Sequence, residues 1–274
     1  MKDISTLVPD VQKLLKQEGW WTDAEDSRCT EMVARRLRSH YSKHEVHTKL
    51  RMSRLGNRCH RQIWYEVHYP ELAEHPSARE KLTYAYGHII EGLAIMLAKA
   101  AGHTVEAEGD EITLDGISGH CDCLIDGYIV DVKSSTTQGM AKYKGTDQQE
   151  IDRWGYLAQL DGYVVGDSTS LVLNKRKDKA FLWVIDKNLG NMLLYEHHPR
   201  EAFIRERIRD YRAITTLNQP PRCTCETKRV DFTGGATLGL VASYSKYKSV
   251  CWPNVRVEIV RGRPVYHVNE QDKK

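Results

Sequence analysis

The stretch Gly119-His120-Cys121-Asp122-Cys123-Leu124-Ile125-Asp126-Gly127-Tyr128-Ile129-Val130-Asp131-Val132-Lys133-Ser134-Ser135 decides the fold. Asp126-Gly127 sits between two runs that alternate with period two, among the strongest short-range hairpin signals a chain can carry. A two-residue turn there predicts a register in which Ile125 pairs with Tyr128, Leu124 with Ile129, Cys123 with Val130, and Asp122 with Asp131. Residues directly opposed in an antiparallel pair share a face, with Cβ atoms about 5 Å apart. Lys133 lies two positions beyond Asp131 and so projects from that same face. The same count sets His120 opposite Lys133 and turns Cys121 and Cys123 to the other side.

Two carboxylates facing each other across a ladder repel. A divalent cation between them relieves the repulsion, and Mg²⁺ favours a few carboxylates together with waters and phosphate oxygens. Such an ion lowers the pKa of water and offsets charge on a phosphate, while a nearby lysine supplies a point charge or orients the attacking water. The plainer alternative is a solvated polar strand face whose acids pair with lysines. Against it, Ile129, Val130 and Val132 imply a buried sheet.

Around the hairpin the periodicity predicts helices over 5–46, near 56–68 and over 80–101, the last closed by Gly102 as a C-cap. Short strands are expected at 103–109 and 111–116. Downstream come a helix over 147–165, strands over 169–176 and 179–186, and a long charged helix over 187–216. An irregular, Cys-containing tail ends in a hairpin over 255–268. The expected fold class is α/β, a mixed central sheet flanked by helices. The expected organisation is a helical N-terminal region over 1–79, a core over 80–216 and a tail over 217–274 packed on that core.

Composition narrows the field. With 274 residues, 41% hydrophobic, the chain is long enough for one large domain and is not a disordered polymer. No apolar run of about 18 residues spans a membrane. The segment Met1–Gln17 has no signal-peptide core, so the expected location is the cytoplasm, or the host cytoplasm for a viral chain. An odd count of seven cysteines does not suit a secreted disulfide framework. Net charge is only +3, yet Arg28, Arg35, Arg36, Arg38, Lys43, Lys49, Arg51, Arg54, Arg58 and Arg61 stand against Glu31 and Glu45 alone over 28–61. That excess suits a phosphate backbone, or else a solvated helix face.

Gly119–Asp122 followed by Val130–Ser135, with eight residues between the first acid and the D-x-K, resembles the paired strand motifs of PD-(D/E)XK nucleases, in particular the RecB-like exonuclease branch. Gly87-His88-Ile89-Ile90-Glu91 resembles that branch's helical motif, which implies Glu91 as a metal ligand. Gln159-x-x-x-Tyr163 is similar to its Q-x-x-x-Y motif, which implies substrate contact, and Ser53–Tyr65 resembles a further upstream segment. The likeness covers about 50–255. It implies a Mg²⁺- or Mn²⁺-dependent deoxyribonuclease with Asp122, Asp131, Lys133 and Glu91 as catalytic groups and Glu91, Asp122 and Asp131 on the metal. DNA is then the substrate, and recombination or replication proteins are candidate partners.

Relatives in that branch hold an iron–sulfur cluster through one upstream and three C-terminal cysteines. Cys59 and Cys251 resemble the two ends of that pattern, but Ala242 and Ser245 stand where two of the others belong. Cys223 and Cys225 are substitute ligands, leaving three readings open: a cluster, a zinc site, or thiols without metal. Cys29, Cys121 and Cys123 read as buried small hydrophobes.

His120 and Ser134 are candidate substrate contacts beside the motif, or ordinary supporting residues. Lys142, Lys144 and Arg153 are candidate phosphate contacts. Trp20, Trp21, Trp154 and Trp183 are candidate stacking residues, more simply core. The functions to separate are an exonuclease in recombination, end processing or phage DNA metabolism, an endonuclease, and a non-catalytic nucleic-acid-binding or adaptor protein on the same fold.

Overall fold

A computed structural model of the chain describes residues 2–42, 49–57, 59–168, 175–230 and 235–269. Helices α1 (Leu7–Leu15), α2 (Asp23–Tyr41), α3 (His60–His68) and α4 (Ala78–Ala100) come first. Strands β1 (Val105–Glu106), β2 (Glu111–Leu114), β3 (Ile117–His120), β4 (Cys123–Ile125) and β5 (Tyr128–Ser135) follow. Next are the short α5 (Thr137–Ala141) and α6 (Gln148–Ile151), then α7 (Tyr156–Val165), β6 (Ala180–Asp186), β7 (Met192–His197) and α8 (Glu201–Thr215). The C-terminal part holds β8 (Thr227–Arg229), β9 (Gly235–Leu238), α9 (Leu240–Ser243), α10 (Lys248–Cys251), β10 (Arg256–Val260) and β11 (Arg263–Asn269).

The fold is mixed α/β, as expected. Its main sheet has the order β1-β4-β5-β6-β7, with β5 and β6 parallel and the remaining neighbours antiparallel. The Asp126-Gly127 turn forms with φ of 50° and 85°, the left-handed pair that a type I′ hairpin needs. Its register is Ile125↔Tyr128, Leu124↔Ile129, Cys123↔Val130. Alternation along β5 and β6 then sorts side chains by face. Ile129, Leu182 and Val184 pack with α3, α7 and α8, while Val130, Val132, Phe181 and Trp183 pack with α1 and α4. Both faces are covered, which is why these strands read as near-continuous apolar runs.

Helix α4 begins at a capping box, Ser77 with Glu80, and ends just before Gly102, whose φ of 85° supplies the expected stop. Four expectations need correcting. The helix over 147–165 is broken, because Gly155 takes φ 75° and Asp152 turns its side chain back to accept from the Leu157 N–H at 2.8 Å. A glycine inside a helical pattern is ambiguous until its neighbours are known. Gly155 lies against the backbone of Gly56, and a Cβ on either would overlap the other's Cα, so this contact pins the 55–57 loop to the start of α7.

The long helix over 187–216 is also broken up. Residues 187–191 turn at Gly190 (φ 71°) into β7, which pairs with β6, and α8 starts only at Glu201. The tail is more regular than expected, since β10-β11-β9-β8 form a second, four-stranded sheet that includes the expected hairpin. Finally, the hairpin ladder stops at Cys123. β3 ends at His120 and pairs with β2, so His120 faces Glu111 rather than Lys133, and Cys121 joins the cluster on the α7 side. The expected strand over 169–176 falls mainly on 169–174, outside the described residues.

Candidate active site

Asp131 and Lys133 leave β5 on the face that packs against α7. Lys133 Nζ lies 2.5 Å from Asp131 Oδ2, and the Asp131 side chain is 3% exposed. Tyr156, the first residue of α7, covers the amine, with its ring centroid 4.7 Å from Nζ. Asp122 sits just before β4, and its Oδ2 accepts from the Val132 N–H at 2.8 Å. The hairpin therefore holds this acid beside Asp131 through a backbone bond rather than through a continued ladder. Glu91 comes from α4, ion-paired with Arg36 of α2, with His88 Nδ1 3.6 Å from its other oxygen.

These charges act on one another. Burial, then the charges of Asp131 and Glu91, push the Asp122 carboxyl well above the usual carboxylate range, against the pull of Lys133 and the Val132 N–H. Burial also raises Asp131, with Glu91 adding to it and Lys133 opposing. Burial works against charge on Lys133, but Asp131 and Asp122 outweigh it and hold the amine protonated. For Glu91, burial is outweighed by His88, Arg36 and Lys133, and its carboxyl is lowered. The result is a set of three acids, Asp131 buried and Asp122 and Glu91 half-buried, with too little positive charge, the donor chemistry that a hard divalent cation satisfies. Among the described residues these carboxylate oxygens do not form a close group, and Arg36 and Lys133 each pair with one of the acids.

A stability effect follows. A carboxyl whose folded pKa is raised binds its proton more tightly in the folded state. Stability is therefore lost as pH rises from the ordinary 3.8 through the folded value, and the deficit persists at neutral pH. Without divalent metal, Asp122→Asn, which keeps an acceptor for Val132, is expected to melt above wild type near neutral pH, by roughly 2–4 °C per kcal/mol of repulsion relieved. The gap should close toward pH 4. Added Mg²⁺ should raise the melting temperature of wild type but not of the variant. An equal metal shift in both would remove Asp122 from the ligand set.

The other expected site residues divide into two groups. Gln159 Nε2 donates to the Tyr163 hydroxyl at 2.8 Å, and that hydroxyl donates to the His120 carbonyl at 2.6 Å, anchoring the chain just ahead of Asp122. The His120 ring instead reaches the Gly109 carbonyl at 3.0 Å and is exposed. Ser134 alternates to the opposite face from Lys133, beside Gly87 of α4. Much of the basic run is spent internally, with Arg28 on Glu25, Arg35 on Glu108, Arg36 on Glu91 and Arg54 on Glu66. Trp183 is core.

Sequence reading missed Tyr156 and the Arg36–Glu91 pair. The only available hint was the Gly155-Tyr156 step, where the helix restarts. Lys142 takes on more weight than its sequence suggests. Its buried Nζ donates no hydrogen bond among the described residues and lies 4.7 Å and 5.8 Å from the Tyr143 and Tyr156 ring centroids. Burial, aided by Arg153, pushes this amine down to about 8. Beside the N-terminus of α7 opens a cavity of about 210 Å³ lined by Arg54, Tyr84, Arg153, Trp154, Tyr244 and Lys246 among others.

Away from this site, Cys59, Cys223, Cys225 and Cys251 bring their sulfurs within 4.8 Å of one another, all four buried. Among the described residues this is the tightest gathering of potential metal-ligand atoms.

No protein-family model matches the chain, and no curated protein matches it. Solved structures similar to it include one named only SSO0001, at 19% identity and a TM-score of 0.46, covering 81% of this chain and 95% of that one. An alkaline exonuclease, LHK-Exo, in complex with dAMP is similar at 17% identity and a TM-score of 0.41, covering 68% and 90%. A further structure of LHK-Exo, from Laribacter hongkongensis, gives 15% identity and a TM-score of 0.35, again covering 68% and 90%. Likeness at these levels carries no argument about chemistry, so the site is read from its own residues. No helix among the described residues is long and apolar enough to cross a membrane.

Proposed function

We propose that the chain is a divalent-metal-dependent nuclease of the PD-(D/E)XK class that hydrolyses DNA phosphodiester bonds, acting as an exonuclease of the RecB-like branch. One observation carries the reading: the buried Asp131–Lys133 pair stands beside Asp122, an acid whose neighbours make its charge costly. Such clustering of perturbed carboxylates with a charged lysine is characteristic of reactive sites.

Mg²⁺ or Mn²⁺ on Glu91, Asp122 and Asp131 would supply an activated water and charge neutralisation at the scissile phosphate. The chain's own groups do the positioning. The Lys133 ammonium, held charged by two aspartates, binds a phosphate oxygen and orients the attacking water. The Tyr156 ring shields it from solvent and keeps the local interaction strong. Gln159 and Tyr163 fix the strand end that carries Asp122. The cavity beside the start of α7 combines cations with aromatic rings, which suits a single strand whose phosphates are neutralised while its bases stack. The setting is recombination, end processing or phage DNA metabolism, with recombination or replication proteins as partners.

The test offers end-labelled linear duplex and covalently closed circles to the purified protein with Mg²⁺ or Mn²⁺. Linear DNA should shorten while circles persist. Cutting of circles would remove the exonuclease reading, and inertness toward both would remove the nuclease.

A further inference from the structure

The four cysteines come from distant parts of the chain. Cys59 precedes α3, Cys223 and Cys225 lie on the segment after α8, and Cys251 ends α10. They lie among Trp252, Leu238, Ala236 and Val268, between 0% and 7% exposed. Buried thiols in an apolar cluster need no metal to explain them. Two features here point to one. First, N–H groups are aimed at the sulfurs: Gln62 Nε2 donates to Cys225 Sγ at 3.1 Å and the Cys225 backbone N–H donates to Cys223 Sγ at 3.5 Å. Donors directed at sulfur stabilise thiolates, and second-shell bonds of this kind orient metal ligands. Second, four sulfurs drawn from three separate segments lie within 4.8 Å of one another.

The spacing identifies the occupant. Cys59 Sγ stands 3.9 Å from Cys223 Sγ and 3.5 Å from Cys225 Sγ, with every pair within 4.8 Å. A single zinc ion about 2.3 Å from four thiolates sets them about 3.8 Å apart in a tetrahedron. A [4Fe–4S] cubane places an iron–iron edge and two outward-pointing iron–sulfur bonds between any two of its thiolates, and so needs a wider quartet. The residues present therefore do not fit the cluster that the sequence resemblance implies. We infer that Cys59, Cys223, Cys225 and Cys251 bind one tetrahedral zinc ion, clamping the C-terminal sheet to α3. This inference does not rest on the nuclease reading.

The test uses the full chain, purified anaerobically from cells supplied with both zinc and iron. Elemental analysis should find one zinc per chain and no acid-labile sulfide. Cys223→Ser and Cys251→Ser should lose the zinc, while Cys29→Ser keeps it. Cobalt exchanged into the wild type should give thiolate charge-transfer and tetrahedral d–d bands, a readout that survives if the serine variants fail to fold. Iron with matching sulfide and broad visible absorbance would overturn the inference in favour of a cluster. Sub-stoichiometric metal with four free, titratable thiols would overturn it in favour of plain buried cysteines. Neither result depends on whether DNA is cut.

Discussion

On the proposed nuclease reading, Lys133→Ala is expected to lower DNA hydrolysis by about 10²–10⁴-fold at saturating metal, the usual range for a group that assists proton transfer or charge in the transition state. Among the described residues the lysine is the one cation directly paired with Asp131, and both aspartates hold it charged. Without it, a scissile phosphate meets the two aspartates with no lysine to counter its own charge. The variant also leaves Asp131 without its counter-ion, so the apoprotein should be less stable, and Lys133→Met separates the shape of the side chain from its charge. Activity should be compared where circular dichroism shows each variant folded. Turnover within tenfold of wild type in a folded Lys133→Met protein would remove the residue from the chemistry.

Asp161→Ala is the largest stability effect expected. Asp161 is fully buried in α7, and its carboxylate accepts from the Arg200 N–H at 2.9 Å, from Arg200 Nε and Nη2 at 3.0 and 2.7 Å, and pairs with His197 Nε2 at 2.6 Å. One side chain thus ties α7 to the end of β7 and the start of α8. Breaking a buried charge network by removing one partner costs about 3–5 kcal/mol. Arg200 is partly exposed and can turn toward water, which favours the lower end. Urea denaturation should show the midpoint falling with little change in slope. A loss under about 1 kcal/mol would mean that Arg200 and His197 find other partners. Because α7 carries Tyr156, Gln159 and Tyr163, activity in the folded fraction should fall as well.

The central hairpin was legible because its information is local. Asp126-Gly127 dictates the turn, and alternation then decides which side chains share a face. His120 was misplaced because the register was extended through Asp122, where the chain actually leaves the ladder so that the carboxylate can accept from Val132. The helical reading of 187–200 failed because charge spacing alone does not separate a helix from the turn at Gly190 and the strand beyond it. Glu91 could be named from its motif, but its partner Arg36 lies 55 residues away on a helix whose docking no local pattern reports. The cysteine quartet is the extreme case. Its C-x-C spacing departs from the usual pattern, and its geometry rests on contacts across 164 and 166 residues.

The parallel pairing of β5 with β6 sets an order of assembly. The β4–β5 hairpin can close from neighbouring residues within microseconds, but β6 reaches β5 only after the whole crossover from Thr136 to Lys179 has been made and docked. Closing such a long connection is slow and comes late. During synthesis, then, Asp122 and Asp131 emerge together and stay in water, where their repulsion is weak. They are drawn out of bulk water only once β6 and α7 cover them, so on the proposed reading the site is complete only after the crossover has docked.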